Sequence, residues 1–207
     1  MAIKDYGHVN FWEIGIDNGA QDTVDFLDTY IIPYLKVAKY CGNSDSSDCT
    51  YDIHTLDNQV FVIGNTSDYV RFYLANGTAI TSFSSGSNSK NSKKREVQFY
   101  IDTNGWKKPN KLGVDVHLFL FNTRIGEMRP QHVKPYIMPP KSNDNNPSSY
   151  IRGFSDGQGG FRGGCVTSGT AMAGVYCTSL ILYGNGGKIP SKEKYVELGG
   201  EASLYPW

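Results

Sequence analysis

The stretch VQFYIDTNGWKKPNKLGVDVHLFLF, residues 97–121, decides the fold expected for this chain. Residues 97–101 alternate apolar and polar side chains, and residues 114–121 place an apolar side chain at every second position. A period of two is typical of half-buried β-strands. Asp102, Asn104 and Gly105 lie between the two runs, where short polar side chains and glycine favour a turn. The stretch predicts two adjacent antiparallel strands that need a cover on one face.

A helix over about residues 20–41 is the expected cover. Apolar side chains recur there at helical spacing, namely Phe26 or Leu27, Tyr30, Ile31, Tyr34, Leu35 and Ala38. Acidic residues near its start and lysines near its end suit the helix dipole. Pro33 lies inside the pattern and should kink or locally break the helix, because proline has no N–H to donate.

Two more strands complete a predicted four-stranded antiparallel sheet over about residues 69–138. Residues 69–74 and 78–83 read as strands joined by the hairpin turn Asn76-Gly77. An additional strand is conceivable near residues 132–138, where prolines would confine it to a sheet edge. The chain is thus predicted to be one α+β domain, 1–207, in which a long N-terminal helix packs on this sheet. A Gly-rich variable region of about 142–174 and a C-terminal segment, 175–207, follow.

The composition favours a loop-rich extracellular protein. The formal net charge is zero, and the chain contains 23 glycines and 14 tyrosines. A basic cluster in the polar stretch 84–95 is a candidate binding loop for nucleic acid or anionic lipid; its members are Lys90, Lys93, Lys94 and Arg95. No aromatic side chains interleave these charges as base stacking would require, so a solvated loop is the alternative and nucleic acid is not the expected partner.

The four cysteines form two close pairs, Cys41 with Cys49 and Cys165 with Cys177. Neither pair has the spacing of a zinc site. Four cysteines allow three connectivities, of which local pairing is the simplest, and each short loop would then stabilise the fold by roughly 2.5–3 kcal/mol. Disulfides imply an oxidising compartment, whereas four reduced thiols are the alternative. Since no signal peptide begins at Met1, we expect that a native N-terminal segment has been removed.

Motifs for catalysis are not found in the sequence. The four histidines are scattered, and neither HExxH nor GxSxG occurs. The Gly-rich stretch within 151–170 lacks the phosphate-binding pattern GxxxxGK[ST]. His117 is expected to face solvent or to occupy a satisfied position in the second central strand. We therefore do not expect an enzyme.

One metal site is conceivable at the turn after the first central strand. Asp102 and Asn104 are two residues apart, so their oxygens can face one side, and Asp115 could supply a further carboxylate. An oxygen-only shell suits calcium. The EF-hand spacing is not met, and turns stabilised by these side chains without metal are the alternative. Calcium is the one cofactor that the sequence suggests.

Three stretches resemble the type IV pilin and type II secretion pseudopilin family of bacteria. They are FLDTYIIPYLKVAKYC (26–41), FYIDTNGWKKPNKLGVDVHLF (99–119) and CTSLILYGNGGKIP (177–190), the last followed by YPW. The second is similar to the pattern D-x-N-G-x-x-x-P-N-x-x-G-x-D-x-F, although His117 stands where the family often has Phe. Together the stretches cover about a quarter of the chain.

This resemblance implies a structural filament subunit. Family members carry an apolar N-terminal helix that is cut by a prepilin peptidase and lies first in the inner membrane and then in the filament core. The expected partners are other copies of the chain and other pilins or pseudopilins, and the expected location is extracytoplasmic. Calcium binds near the end of the sheet in some pseudopilins. The alternative is a minor or tip pilin, or a secreted adhesive module that binds through the Gly-, Asn- and Tyr-rich region and the basic loop.

Overall fold

The structure is a computed structural model whose described residues group into two compact units. The described residues are 5, 12, 20–42, 49, 51–61, 69–84, 96–105, 107–122, 127–130, 147–155, 161–168 and 172–207. The first unit comprises Met1–Tyr51, Val62–Trp106 and Phe119–Arg129, and the second comprises Asp52–Phe61, Lys107–Leu118 and Pro130–Trp207.

Within the described residues, the main sheet has six strands whose spatial order follows the chain. They are β1 (Val37–Gly42), β2 (Val70–Leu74), β3 (Ala79–Ser84), β4 (Glu96–Asp102), β5 (Val116–Asn122) and β6 (Glu127–Pro130). The first four strands pair antiparallel, with Phe72 opposite Ile80 and Ile80 opposite Ile101. Gly77 turns the β2–β3 hairpin at a φ of 89°, which confirms the predicted Asn76-Gly77 turn. The two predicted central strands are β4 and β5, which are neighbours in the sheet as expected.

One helix, α1 (Ala20–Tyr30), packs on this sheet and contacts β2 and β3. The core of the first unit consists of Trp12, Phe26, Leu27, Val70, Phe72, Ile80, Val97, Phe99 and Phe121. Trp12 stacks on Tyr30 of α1, with ring centroids 4.9 Å apart. Fully burying one large apolar side chain such as Phe26 stabilises a fold by roughly 1.5–3 kcal/mol. The predicted helix–sheet contact is therefore present, although the helix is shorter than expected.

The long N-terminal helix predicted over 20–41 is wrong. The α-helix ends at Tyr30, a 3₁₀ turn spans Ile32–Tyr34, and residues from Val37 onward form β1. Pro33 explains the break, because it has no N–H and disfavours helical backbone in the residue before it. Backbone pairing with β2 then draws Val37–Gly42 into the sheet.

The pilin-like arrangement of one long helix on a four-stranded sheet is wrong for the same reason. The chain is α+β, but it combines short helices with a sheet that gains β1 from the predicted helix and also includes β6. The strand predicted near residues 132–138 lies outside the described residues.

The second unit contains short elements joined by turns. Helix α2 (Pro147–Arg152) and the two-stranded pair β7 (Phe154–Ser155) and β8 (Phe161–Arg162) fall in the predicted Gly-rich region. The C-terminal segment contains α3 (Cys177–Ser179), a π-helix (Leu180–Gly184), α4 (Lys192–Glu197) and a 3₁₀ turn (Ala202–Leu204). The largest fully buried side chains of the second unit are Leu112, Leu118, Tyr150, Ile151, Leu180 and Tyr195. Among the described residues, no helix has the length and apolar character needed to cross a bilayer.

Candidate functional site

The loop Asn110–Asp115, here called the Asp115 loop, lies in the segment that resembles the family pattern and is densely hydrogen-bonded. Asp115 is 4% exposed, and its two carboxylate oxygens accept from the backbone N–H groups of Asn110 (2.9 Å) and Lys111 (2.6 Å). The Lys111 carbonyl in turn accepts from the N–H groups of Val114, Asp115 and Val116. Hydrogen bonds to an ionised carboxylate are stronger than neutral ones, so Asp115 fixes the path of the loop.

Glycine allows this loop to pack closely on the C-terminal segment. Gly113 has a φ of 78°, and a Cβ placed on it would lie 2.6 Å from Cys177 Sγ and 2.7 Å from the Gly174 carbonyl oxygen. Gly174 has a φ of 102° and packs in the same way against the Leu112 carbonyl. Both positions combine a left-handed backbone with contacts that leave no space for a side chain.

His117 joins the start of β5 to α3 within the second unit. Its Nδ1 lies 2.9 Å from the Thr178 hydroxyl oxygen, and Thr178 is buried. Burial lowers the pKa of His117, and the negative charge of nearby Asp115 opposes this effect. The neutral imidazole is therefore favoured. The position is a satisfied one, which is one of the two environments expected for this residue.

The end of the sequence also binds the Asp115 loop. The Trp207 indole N–H donates to the Gly113 carbonyl at 3.0 Å. The Tyr205 hydroxyl donates to the Pro190 carbonyl at 2.9 Å, and the Tyr195 hydroxyl donates to the Cys165 carbonyl at 2.8 Å. Sequence reasoning missed these contacts, and the cluster of aromatic residues around Tyr205-Pro206-Trp207 is the signal that could have suggested them.

The candidate calcium ligands lie in two different units. Asp102 ends β4 in the first unit, where its carboxylate accepts from the Asn104 N–H at 3.1 Å. Asp115 belongs to the second unit and is bonded to its own loop. No group of three or more His, Cys, Asp or Glu side chains suited to a metal ion occurs among the described residues. Asp102 makes an Asx-type hydrogen bond to the N–H two residues later, whereas Asp115 accepts from N–H groups four and five residues earlier. Calcium binding stays a prediction.

The cysteines form the two local disulfides, Cys41–Cys49 and Cys165–Cys177. Each unit therefore contains one disulfide. Cys41 lies at the end of β1, and Cys177 begins α3 beside Gly113. The predicted basic cluster, Lys90, Lys93, Lys94 and Arg95, lies outside the described residues.

One protein family has a sequence model that matches this chain. The sequence model of a protein family described as a family of unknown function (DUF6613) matches residues 1–195. No curated protein matches the chain. No solved structure matches it either.

Proposed function

The chain belongs to the family of unknown function DUF6613, and we propose that it is an extracytoplasmic structural subunit of a filament of the type IV pilus or type II secretion kind. The observation that carries this proposal is the Asp115 loop. The segment that resembles the pilin and pseudopilin pattern uses its Asp and Gly residues to fix backbone and to pack on the C-terminal segment. Asp and Gly residues that stabilise the fold in this way suit a structural subunit, which acts by assembling with other subunits.

The two disulfides support an extracytoplasmic location. Each closes a short loop and joins residues that are close in sequence, with separations of 8 and 12. Disulfides of this kind persist in oxidising compartments and are rare in the cytosol. The location is tested by intact mass of the native protein with and without alkylation under non-reducing conditions. Protection of all four cysteines supports it, and four alkylated cysteines contradict it.

The filament role requires an apolar helix other than α1. The apolar side chains of α1, including Phe26 and Leu27, are buried in the core of its own unit, so they are not available for a filament core. The N-terminal sequence of the native mature protein tests this requirement. An apolar stretch of about 20 residues upstream of Tyr6 would support the filament role. Surface filaments that antibodies against this chain fail to label by electron microscopy would count against it.

A secreted adhesive module is the second candidate function. Large apolar side chains are exposed in the C-terminal segment, including Leu182 (42%), Tyr183 (50%) and Ile189 (53%). Exposed apolar side chains are available to a binding partner, and Tyr is common on adaptable binding surfaces. Copy number separates the two roles, because a bulk subunit is present throughout a filament whereas a tip adhesin is present in one or a few copies.

Calcium binding at Asp102, Asn104 or Asp115 is tested by thermal unfolding with saturating calcium and with chelator. A ligand that binds only the folded state raises the midpoint of unfolding. A calcium-dependent rise that is lost in Asp102→Asn but retained in Glu197→Gln would support a site at the end of β4. Equal midpoints in calcium and chelator would contradict it.

A further inference from the structure

Residues 202–207, here called the strap, are held on the second unit mainly through aromatic side chains. The Tyr205 ring lies edge-on to Tyr195 at 5.6 Å and to Trp207 at 5.8 Å. The hydroxyl of Tyr205 and the indole N–H of Trp207 each donate to a backbone carbonyl, those of Pro190 and Gly113. Both donors lie at side-chain tips, and both acceptors belong to the surface beneath.

The strap is weakly buried compared with the residues that it contacts. None of residues 196–207, all of which the structure describes, is buried. Tyr195, in contrast, is fully buried, and its hydroxyl is anchored on the Cys165 carbonyl. Segments with few buried contacts open locally at a much lower free energy than global unfolding requires. The strap can therefore leave its surface while the unit beneath stays folded.

Two glycines connect α4 to the strap. Gly199 has a φ of 100°, and Gly200 packs against the ring of Tyr195. Their N–H groups donate to the carbonyls of Val196 (2.9 Å) and Tyr195 (3.0 Å). Because glycine adopts a wide range of backbone angles, this pair can redirect the strap once these two hydrogen bonds open.

We propose that the surface formed by the carbonyls of Gly113 and Pro190 and the ring of Tyr195 binds the strap of a second copy of the chain. The chain's own strap shows that the sequence Tyr205-Pro206-Trp207 fits this surface. A second copy carries the same donors, so the hydrogen bonds lost on opening are regained between copies. Exchange of an identical element between copies is a low-cost route to association. If two copies exchange straps with each other, a closed dimer forms. If each copy passes its strap to a further copy, a larger assembly forms. This exchange does not depend on the filament role proposed above.

Sedimentation equilibrium of the full chain tests this exchange. The chain's own strap competes at an effective concentration of about millimolar, so protein is compared from about 1 µM to about 1 mM. We expect the mean mass to rise above that of the monomer at the upper end. A chain truncated after Glu201, which lacks the strap, should stay monomeric. A full chain that is monomeric throughout, or a truncated chain that associates equally, would overturn the proposal.

Peptide competition on the unmodified chain tests the exchange even if the truncated chain does not fold. The probe is a synthetic peptide of residues 201–207, EASLYPW, and its control carries Phe in place of Tyr205 and Trp207. We expect the first peptide to return the associated chain to monomer at several-fold lower concentration than the control. Equal effects of the two peptides would overturn the proposal.

Discussion

Gly113 packs against the Cys165–Cys177 disulfide so closely that a Cβ on Gly113 would lie 2.6 Å from Cys177 Sγ. The same glycine offers its carbonyl oxygen to Trp207. One residue thus links the Asp115 loop, the disulfide and the end of the sequence within the second unit. We therefore expect even small changes of side chain in this loop to lower the free energy of unfolding substantially.

Gly113→Ala should be strongly destabilising. A left-handed backbone costs a residue with a Cβ about 1–2 kcal/mol, and forcing atoms into a filled space costs about 1–3 kcal/mol more. We therefore expect a loss of about 2–5 kcal/mol in the free energy of unfolding, measured by denaturant titration. Gly187→Ala is the matched control, since Gly187 has a φ of 82° with nothing within 4 Å of its Cβ position. An equal loss in both variants would show that backbone strain alone acts at Gly113.

Asp115→Asn should loosen the Asp115 loop. The amide keeps one oxygen but lacks the charge and the second acceptor, so one of the N–H groups of Asn110 and Lys111 loses its partner. An unsatisfied buried donor costs about 1–3 kcal/mol, which denaturant titration at neutral pH can resolve. The control is Glu197→Gln, which breaks an exposed ion pair with Lys194 and should cost less than about 1 kcal/mol. A smaller effect at Asp115 than at Glu197 would contradict the role assigned to this carboxylate.

The strands could be predicted from the sequence where alternation and turn residues agree. The runs that became β2 and β4 alternate clearly, and Asn76-Gly77 has the chemistry of the tight hairpin that returns the chain as β3. Residues 37–42 lack such a signal, because their apolar positions continue the helical pattern of the preceding segment. These residues form a strand because they pair with β2, which lies some thirty residues later in the sequence. The sequence of residues 37–42 alone cannot reveal this pairing.

The sequence pointed to Asp115 as a candidate site residue, but it did not reveal the groups to which this carboxylate bonds. An Asp two residues before an Asn, as at Asp102 and Asn104, is compatible with a metal site and equally with a turn. At Asp115 the partners are the N–H groups of Asn110 and Lys111, five and four residues earlier, and loop geometry selects them. The contact of Trp207 with Gly113 spans 94 residues and has no local signature.

Cys41–Cys49 should be reduced before Cys165–Cys177. Cys165 and Cys177 are fully buried, whereas Cys41 is partly exposed on β1. Thiol–disulfide exchange needs access of the reductant to a sulfur atom. We expect stepwise reduction under native conditions to label Cys41 and Cys49 first, as read by alkylation and peptide mapping. Equal labelling rates for the two pairs would contradict this order. They would indicate that local opening of the second unit exposes Cys165 and Cys177 to the reductant as readily as Cys41 is exposed in the folded chain.

Acidification should destabilise the fold through His117. Burial lowers the pKa of His117 in the folded state, so below the usual histidine pKa of about 6.5 the unfolded chain binds more protons than the folded chain. The free energy of unfolding therefore falls as the pH drops below that value, by at most about 1.4 kcal/mol per pH unit for one proton. Above that pH the contribution of the neutral imidazole is fully present.

His117→Gln should flatten this pH dependence, because glutamine does not titrate and can still bond to the Thr178 hydroxyl. Thr178→Val is the matched control: it removes the hydroxyl but keeps the imidazole, so it should lower stability while retaining the slope. Denaturant titrations between about pH 5.5 and pH 7.5 measure the three slopes, in the range where histidine titrates. If His117→Gln keeps the slope of the unmodified chain, another group must carry the acid sensitivity, and the neutral buried imidazole is not its source.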